Sequence, residues 1–249
     1  MATRFYFPST GAPAVSPAFG GGWGTTTNAD RRAMVTTRIS SAMTEVSGAG
    51  NAAVDQQLLR QYVSSQALAA QTLSGSIKGQ VRVRRGNAGG GDPGSLAVRV
   101  AKCDSTGSTV TEILSVQYTS RITTPPRLNG VDTATNRRFE QGSSDFALDL
   151  ASTSIDAGDY LIVEIGYDDA TSNTSRFVRA TFGDDSSTDL AEDESTTAAD
   201  NPWIEFSADI SFDSGGGDYS VAWLPRQTVA TGRGPRMVAS GMTPPGRVA

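Results

Sequence analysis

The chain of 249 residues has no histidine and a single cysteine, Cys103. The missing histidine excludes Ser–His and Cys–His nucleophile pairs, His-ligated zinc and a histidine general base. One cysteine cannot close a disulfide within the chain. Because no nucleophile motif is present either, we expect a protein that is not an enzyme.

Charge and hydropathy argue against two further kinds of partner. The formal net charge is -5, so no overall positive field attracts nucleic acid or an anionic membrane. No apolar run approaches the roughly 18 residues that a membrane span needs. Residues 1–19 also lack the apolar core of a signal peptide. We expect a protein that is made in a cytoplasm and binds neither nucleic acid nor membrane.

What the chain does contain is strand periodicity. Apolar and polar residues alternate in several stretches, among them 77–84, 96–101, 161–167 and 204–212. Such alternation is typical of half-buried strands. Residues 54–71 fit a short helix and a strand about equally well. Eight to ten strands without a βαβ rhythm predict an antiparallel sheet.

The strand count and the long polar connections predict an all-β fold. We expect an antiparallel β-sandwich, jelly-roll-like, with extended N- and C-terminal arms. An immunoglobulin-like sandwich is the alternative, although the Cys…Trp…Cys signature is absent. The predicted boundaries are an N-terminal arm at residues 1–29, the sandwich at 30–212 and a basic C-terminal arm at 213–249.

The predicted N-terminal arm combines prolines and glycines, which prevent a helix, with more aromatic residues than a flexible linker usually has. These aromatic residues are Phe5, Tyr6, Phe7, Phe19 and Trp23. We expect them to be anchors that dock on a surface. That surface is either a neighbouring molecule or the protein's own sandwich, and the sequence leaves both interpretations open.

The predicted C-terminal arm is basic, because from Tyr219 onward it contains four arginines and no acidic residue. Its prolines favour an extended backbone. Arginine is suited to bidentate pairing with carboxylates at interfaces. We therefore expect this arm to contact neighbouring subunits, and its candidate assembly residues are Trp223, Arg226, Arg233 and Arg236.

An acidic segment, which we define as residues 184–200, contains seven acidic residues and no lysine or arginine. Carboxylate oxygens are the ligands that calcium prefers, but the spacing matches no fixed calcium loop and a solvated loop is the simpler interpretation. The weak calcium candidates are Asp184, Asp185, Asp189, Glu192 and Asp193. A third interpretation is that the segment accepts the arginine-rich arm of a neighbouring copy.

Two features suggest carbohydrate chemistry. Glu164 and Glu205 lie on predicted strands and could act as the acid and base of a glycosidase if they faced one another. Trp203 and Trp223 could stack on sugar rings. Glutamates on an outer strand face are far more often solvated than catalytic, and most such tryptophans pack on their own domain, so both interpretations are secondary.

Several segments of the chain resemble uncharacterised structural proteins of tailed bacteriophages. The likeness is carried by RFYFPSTGAPAVSPAF (4–19), MVTTRISSAM (34–43), RQYVS (60–64), NRRF (136–139), GDYLIVEIGY (158–167) and NPWIEFS (201–207). It extends from the start of the chain to about residue 212 and contains no catalytic motif. The resemblance implies association with a virion without assigning a role to any residue.

The combined expectation is a non-enzymatic virion structural protein, assembled in the host cytoplasm without a required cofactor. It would be a capsid decoration (cement) protein or a tail or neck accessory, whose arms contact other copies and the major capsid or tail proteins. We expect a homo-oligomer, with a trimer as one arrangement. The alternative is a carbohydrate- or receptor-binding module of a tail fibre or head fibre.

Overall fold

Twelve β-strands form the described part of the computed structural model. The structure describes residues 1–26, 29–48, 55–85, 95–118, 135–139, 148–169, 178–183, 188–192 and 201–214. In chain order the strands are β1 (Thr3–Tyr6), β2 (Asp30–Met34), β3 (Thr44–Ser47), β4 (Asp55–Ser64), β5 (Gln71–Arg85), β6 (Ser95–Cys103), β7 (Val110–Tyr118), β8 (Thr135–Arg138), β9 (Leu148–Ile155), β10 (Tyr160–Asp169), β11 (Val178–Phe182) and β12 (Trp203–Phe206).

The chain divides into two units, Met1–Gly217 and Asp218–Ala249. All described residues belong to the first unit. The predicted assembly residues of the C-terminal arm lie outside the described residues; they are Trp223, Arg226, Arg233 and Arg236.

The first sheet has seven strands and is organised around β5, which pairs along both of its edges. On one edge β5 pairs antiparallel with β12 and β11, and on the other with β9 and β8. β1 extends the sheet beyond β12, and β3 extends it beyond β11. The alternation predicted for residues 77–84 follows from this position, since Val81 and Val83 face the core while Lys78 faces outward.

The second sheet has five strands in the order β2-β4-β10-β6-β7. Its pairs are antiparallel except that of β2 with β4, which is parallel. Between β2 and β4 the chain passes through β3 in the other sheet. The strand β4 then runs beside β2 in the same direction. Residues 55–64, which fit a helix or a strand from sequence, are the strand β4.

The core lies between the sheets and is built from the inward faces of the long strands. β10 contributes Val163, Ile165 and Tyr167, and β5 contributes Val81 and Val83, all of them nearly inaccessible to solvent. Complete burial of side chains of this size stabilises the fold by about 1.5–3 kcal/mol each. The predicted all-β, largely antiparallel two-sheet sandwich is confirmed.

Residues 1–26 are extended, as predicted, but they are an integral part of the sandwich. β1 pairs with β12, which places Phe5 opposite Ile204, and the side chains of Phe5 and Phe7 are buried in the core. At the edge of the sandwich, the backbone of Tyr6 exchanges hydrogen bonds with Val35, which links β1 to the end of β2. The N-terminal boundary predicted at residue 29 therefore separates segments that share one core.

Candidate functional site

The outer face of the five-stranded sheet is covered by residues 13–24, which we call the strap. Pro13 and Pro17 prevent this segment from forming a helix. At its end, the backbone N–H of Gly24 donates to the carbonyl of Gln56 on β4, which attaches the strap to the sheet. Trp23 is buried against Leu58 and Ala97, and Phe19 packs beside them. This outer face is therefore a second apolar layer of the fold.

A buried carboxylate, Glu164, anchors the strap to the sheet. Its Oε1 accepts hydrogen bonds from the backbone N–H of Gly20 (2.8 Å) and from Nε2 of Gln61 (2.8 Å). Its Oε2 accepts from Nε1 of Trp23 (2.7 Å) and from Nη1 of Arg99 (3.1 Å). The Glu164 side chain is 0% exposed, so these four donors replace the water that a carboxylate otherwise requires.

Arg99 completes the neutralisation of this site. Its guanidinium lies between Glu164 and Glu112, and Nε donates to Oε2 of Glu112 at 2.9 Å. The Arg99 side chain is 5% exposed whereas that of Glu112 is 46% exposed, so the inner pair is the desolvated one. A buried ion pair is tolerated only when further hydrogen bonds satisfy both partners, and the strap supplies two of them.

Two glycines allow the strap to approach this closely. A Cβ atom on Gly20 would lie 2.2 Å from Nη1 of Arg99, and a Cβ atom on Gly166 would lie 2.4 Å from the ring of Trp23. Both distances are shorter than the non-bonded contacts that real Cβ atoms make. A side chain at either position would push the strap away from Glu164.

The outer face of the seven-stranded sheet carries the described part of the acidic segment, residues 188–192. Asp189 is the centre of its contacts. Oδ2 of Asp189 accepts from Nη1 of Arg4 (2.8 Å) and from the hydroxyl of Tyr6 (3.3 Å), and Nε of Arg38 lies 3.0 Å from Oδ1. Two hydrogen-bond donors and one further cation from the N-terminal 40 residues thus hold residues 188–192 in place.

Trp203 and its charged neighbours lie under the same segment. The guanidinium carbon of Arg4 is 3.8 Å from the centre of the Trp203 ring, and Trp203 Nε1 donates to the carbonyl of Leu190 at 2.8 Å. Arg4 Nη2 donates to Oε2 of Glu205 at 2.7 Å. Lys78 Nζ donates to Oε1 of Glu192 at 2.6 Å, and this hydrogen bond raises the pKa of Lys78.

A third charged cluster lies towards β3 on this outer face. The carboxylate of Glu45 accepts from Arg84 and, at 2.8 Å, from Nη1 of Arg179. The hydrogen bond from Arg84 is the main reason why the pKa of Glu45 is lowered. The cluster joins three adjacent strands, β3, β11 and β5, and the carboxylate is occupied by two cations.

The structure describes two of the five calcium candidates. Asp189 and Glu192 are described, and the carboxylate of each already contacts at least one cationic side chain. Asp184, Asp185 and Asp193 lie outside the described residues. Among the described residues, no group of three or more acidic or cysteine side chains is arranged to hold a metal ion.

The glycosidase interpretation of Glu164 and Glu205 is wrong. Glu164 lies on β10 in the five-stranded sheet, and Glu205 lies on β12 in the seven-stranded sheet. Each points away from the core, Glu164 under the strap and Glu205 towards Arg4. The two carboxylates therefore lie on opposite outer faces of the sandwich and cannot flank one glycosidic bond.

The predicted aromatic anchors dock on their own sandwich. Phe5, Phe7 and Trp23 are buried within the chain, and Tyr6 and Phe19 are partly buried against it. Trp203 is buried as well, which removes it as a platform for sugar rings. In the described part, the large apolar side chains that are well exposed are Met1 and Met43; Trp223 lies outside that part.

No protein-family model matches this chain, and the curated proteins include no significant match. Within the described residues, no helix is long and apolar enough to cross a membrane. The fold and its contacts therefore define the class of protein no more narrowly than a β-sandwich whose two outer faces are each partly covered by a segment of its own chain.

The sequence did not reveal the role of Glu164, but it contains two signals of it. Residues 5–29 carry no charged side chain, which suits a segment that lies on an apolar surface. The neighbouring residue on the same outer face of β10, Ile162, is apolar and completely buried. A strand with apolar residues on both faces is covered on both sides, and a glutamate there must be paired.

Proposed function

We propose that this chain is a non-enzymatic structural protein of a tailed-bacteriophage particle, acting as a capsid decoration protein or a tail or neck accessory. The observation that carries the proposal is where the phage-like segments lie in the fold. Residues 4–19 form β1 and most of the strap, residues 158–167 include most of β10, and residues 201–207 include β12.

These segments contact one another across the sandwich. Phe5 pairs with Ile204 between β1 and β12, Phe7 stacks on Tyr62 with ring centres 4.6 Å apart, and Gln61 donates to Glu164. The shared residues are those that hold the body together rather than those of a cleft. A likeness that includes these scaffolding contacts suits a protein whose function is to be a rigid building block.

The charged clusters support the non-enzymatic part of the proposal. Glu164, Asp189 and Glu205 each face cationic or hydrogen-bonding donors within the chain. A general acid or base needs a carboxylate that can exchange a proton with a substrate, and the four donors on Glu164 leave no such position.

The C-terminal arm is the proposed tether to the major capsid or tail proteins. Its arginines, Arg226, Arg233 and Arg236, suit an acidic surface on the partner. The earlier interpretation that the acidic segment of a neighbouring copy receives this arm now applies only to part of that segment. Asp189 and Glu192 are ion-paired within their own chain.

The experiment starts from particles that lack this protein and adds the purified protein to them. We expect wild-type protein to bind such particles and to raise the temperature at which they release their genome. A variant with Arg226→Gln, Arg233→Gln and Arg236→Gln should dissociate at lower salt, because exposed charge pairs are screened by salt. The unfolding midpoint of its sandwich should stay unchanged, which is the control for folding. Failure of the wild-type protein to bind at any salt concentration would contradict the proposal.

A further inference from the structure

Residues 1–19 make their contacts with the rest of the sandwich. The backbone N–H of Thr3 donates to the carbonyl of Ala208 (3.1 Å), and that of Phe7 donates to the carbonyl of Pro202 (3.2 Å). The backbone of Gly183 donates to the carbonyl of Phe7 (2.9 Å). In the described part of the chain, no hydrogen bond joins two residues of this segment. Its bound conformation is therefore dictated by the surface on which it lies.

That surface is shaped for two aromatic anchors. Phe5 packs edge-on against Phe206 (5.9 Å between ring centres), and Phe7 packs on Tyr62 (4.6 Å) and edge-on against Phe182 (6.5 Å). The hydroxyl of Tyr62 donates to the carbonyl of Pro8 at 3.0 Å. Any copy of residues 1–19 would find the same contacts on any copy of the sandwich.

A pivot follows directly after this segment. Gly20, Gly21 and Gly22 are consecutive, Gly21 and Gly22 are exposed, and Gly22 has a φ of 97°. Trp23 then fixes the chain to Glu164. The exposed Gly21 and Gly22 can redirect the backbone at low cost. Residues 1–19 can therefore change direction together with Gly20, whose hydrogen bond to Glu164 moves with them, while the Trp23–Glu164 contact stays in place.

We propose that residues 1–19 are exchanged between neighbouring copies in the assembled particle, so that β1 of one copy pairs with β12 of a second copy. This inference rests on the proposed structural function. The pivot between Gly20 and Trp23 spans about 10 Å when it is extended, so exchange brings the outer faces of the two five-stranded sheets together. The contacts are the same within a chain and between chains, so a high local concentration of copies decides the arrangement.

The test is a disulfide between β1 and β12. Arg4 lies directly opposite Glu205, and opposite residues of an antiparallel pair have Cα atoms about 4.5–5.5 Å apart, within the range of about 4.4–6.8 Å that a disulfide spans. Full-length Arg4→Cys chain and size-tagged Glu205→Cys chain are co-produced, assembled on particles and oxidised. Burial raises the pKa of Cys103 to about 12, so the native thiol stays unreactive.

The matched control replaces Arg4→Cys by Lys78→Cys. Lys78 also lies directly opposite Glu205, but on β5 within the body of the sandwich, so strand exchange cannot bring it to another copy. A single chain carrying both Arg4→Cys and Glu205→Cys, oxidised when dilute, shows that the pair can form a disulfide.

We expect a cross-linked species of about twice the chain mass from the Arg4→Cys and Glu205→Cys mixture on particles, and none from the Lys78→Cys mixture. A mixture that stays uncross-linked on particles, while the double-cysteine chain closes within itself, would overturn the exchange and leave the structural function standing. If purified particles contain no copies of the chain but the two cysteine variants still cross-link in concentrated solution, the exchange is supported and the proposed structural function is overturned.

Discussion

Glu164 is the buried carboxylate that anchors the strap to the five-stranded sheet. We predict that Glu164→Gln lowers the free energy of unfolding by about 3–5 kcal/mol, because it leaves the buried guanidinium of Arg99 without its inner carboxylate. Glu112→Gln removes the outer, half-exposed partner of the same arginine and should cost about 1 kcal/mol or less. Urea denaturation of both variants measures the two values. Equal losses would show that Glu164 is not the anchor.

Gln80 provides the opposite case of a buried polar group with no partner. Its side chain is completely buried on the outer face of β5, and neither its oxygen nor its nitrogen makes a hydrogen bond. We predict that Gln80→Leu stabilises the fold by about 1–3 kcal/mol, since each unsatisfied buried polar group costs about that much.

Gln61→Leu is the matched control for Gln80→Leu. Gln61 is equally buried but donates to Glu164 and to the carbonyl of Ala18. The same substitution there should destabilise the fold by a similar amount. If both variants shifted the denaturation midpoint in the same direction, hydrogen bonding would not explain the difference.

At the scale of single residues, alternation in the sequence predicted which side chains face the core. The predicted inward residues of β5 and β10, such as Val81 and Val163, are buried. Alternation could not predict the partners of the outward residues. Asp189 meets Arg4 across 185 positions of sequence, and such pairs depend on the tertiary fold alone.

Among the elements, the hairpin of β6 and β7 is closed by one carboxylate. Asp104 accepts hydrogen bonds from the hydroxyl of Thr106 and from the backbone N–H groups of Thr106, Ser108 and Thr109. The bond from Thr106 is the largest of the contributions that lower the pKa of Asp104. A lowered carboxyl pKa contributes stability above the unfolded value of about 4, and that stability is lost as the pH falls through the folded value.

We therefore predict that Asp104→Asn destabilises the protein at pH 7, and that its difference from wild type shrinks as the pH falls from about 4 towards 2. Denaturant unfolding at pH 7, 4 and 2.5 measures this difference. A gap between variant and wild type that is constant over this range would contradict the assignment of the hairpin to an ionised Asp104.

The N-terminal strand is an element of the cooperative core rather than an appendage. Phe7→Ala removes a ring that packs on Tyr62 and Phe182, and we predict a loss of about 3–5 kcal/mol. Phe19→Ala removes a partly buried ring on the strap that packs beside Trp23 and lies 3.9 Å from the guanidinium carbon of Arg31. It should cost about 1 kcal/mol. Thermal unfolding that leaves Phe7→Ala unaffected would contradict this description.

Element type was easier to predict than element extent. The alternation of residues 204–212 predicts one long strand, but the hydrogen-bonded strand β12 ends at Phe206. The alternating burial continues through Ile210. Beyond Phe206 the regular ladder stops, although the chain still contacts β1 and β5. The N–H of Ile210 donates to the hydroxyl of Thr3 on β1, and the N–H of Ser211 donates to Oε1 of Gln71 on β5. Sequence periodicity indicates which residues are buried, and here the alternating burial extends further along the chain than the strand pairing.

At the scale of the whole molecule, the alternating pattern predicted the fold class correctly, because many alternating strands have few stable arrangements. The sequence could not predict that part of each outer face is covered. The strap hides the outer face of β10 around Glu164, and residues 188–192 lie over Trp203. Both coverings arise from contacts between distant parts of the chain, for which local sequence carries only the weak signal of a charge-free or acid-rich stretch.

The central claim is that the chain is a structural component of a phage particle, and the most direct test is its copy number per particle. Quantitative mass spectrometry of purified virions, with the major capsid protein as the internal standard, measures that number. The account predicts a fixed stoichiometry, with hundreds of copies for a capsid decoration or tail-tube position and about a dozen for a neck position. Virions that retain infectivity and contain no copies of the chain would contradict it.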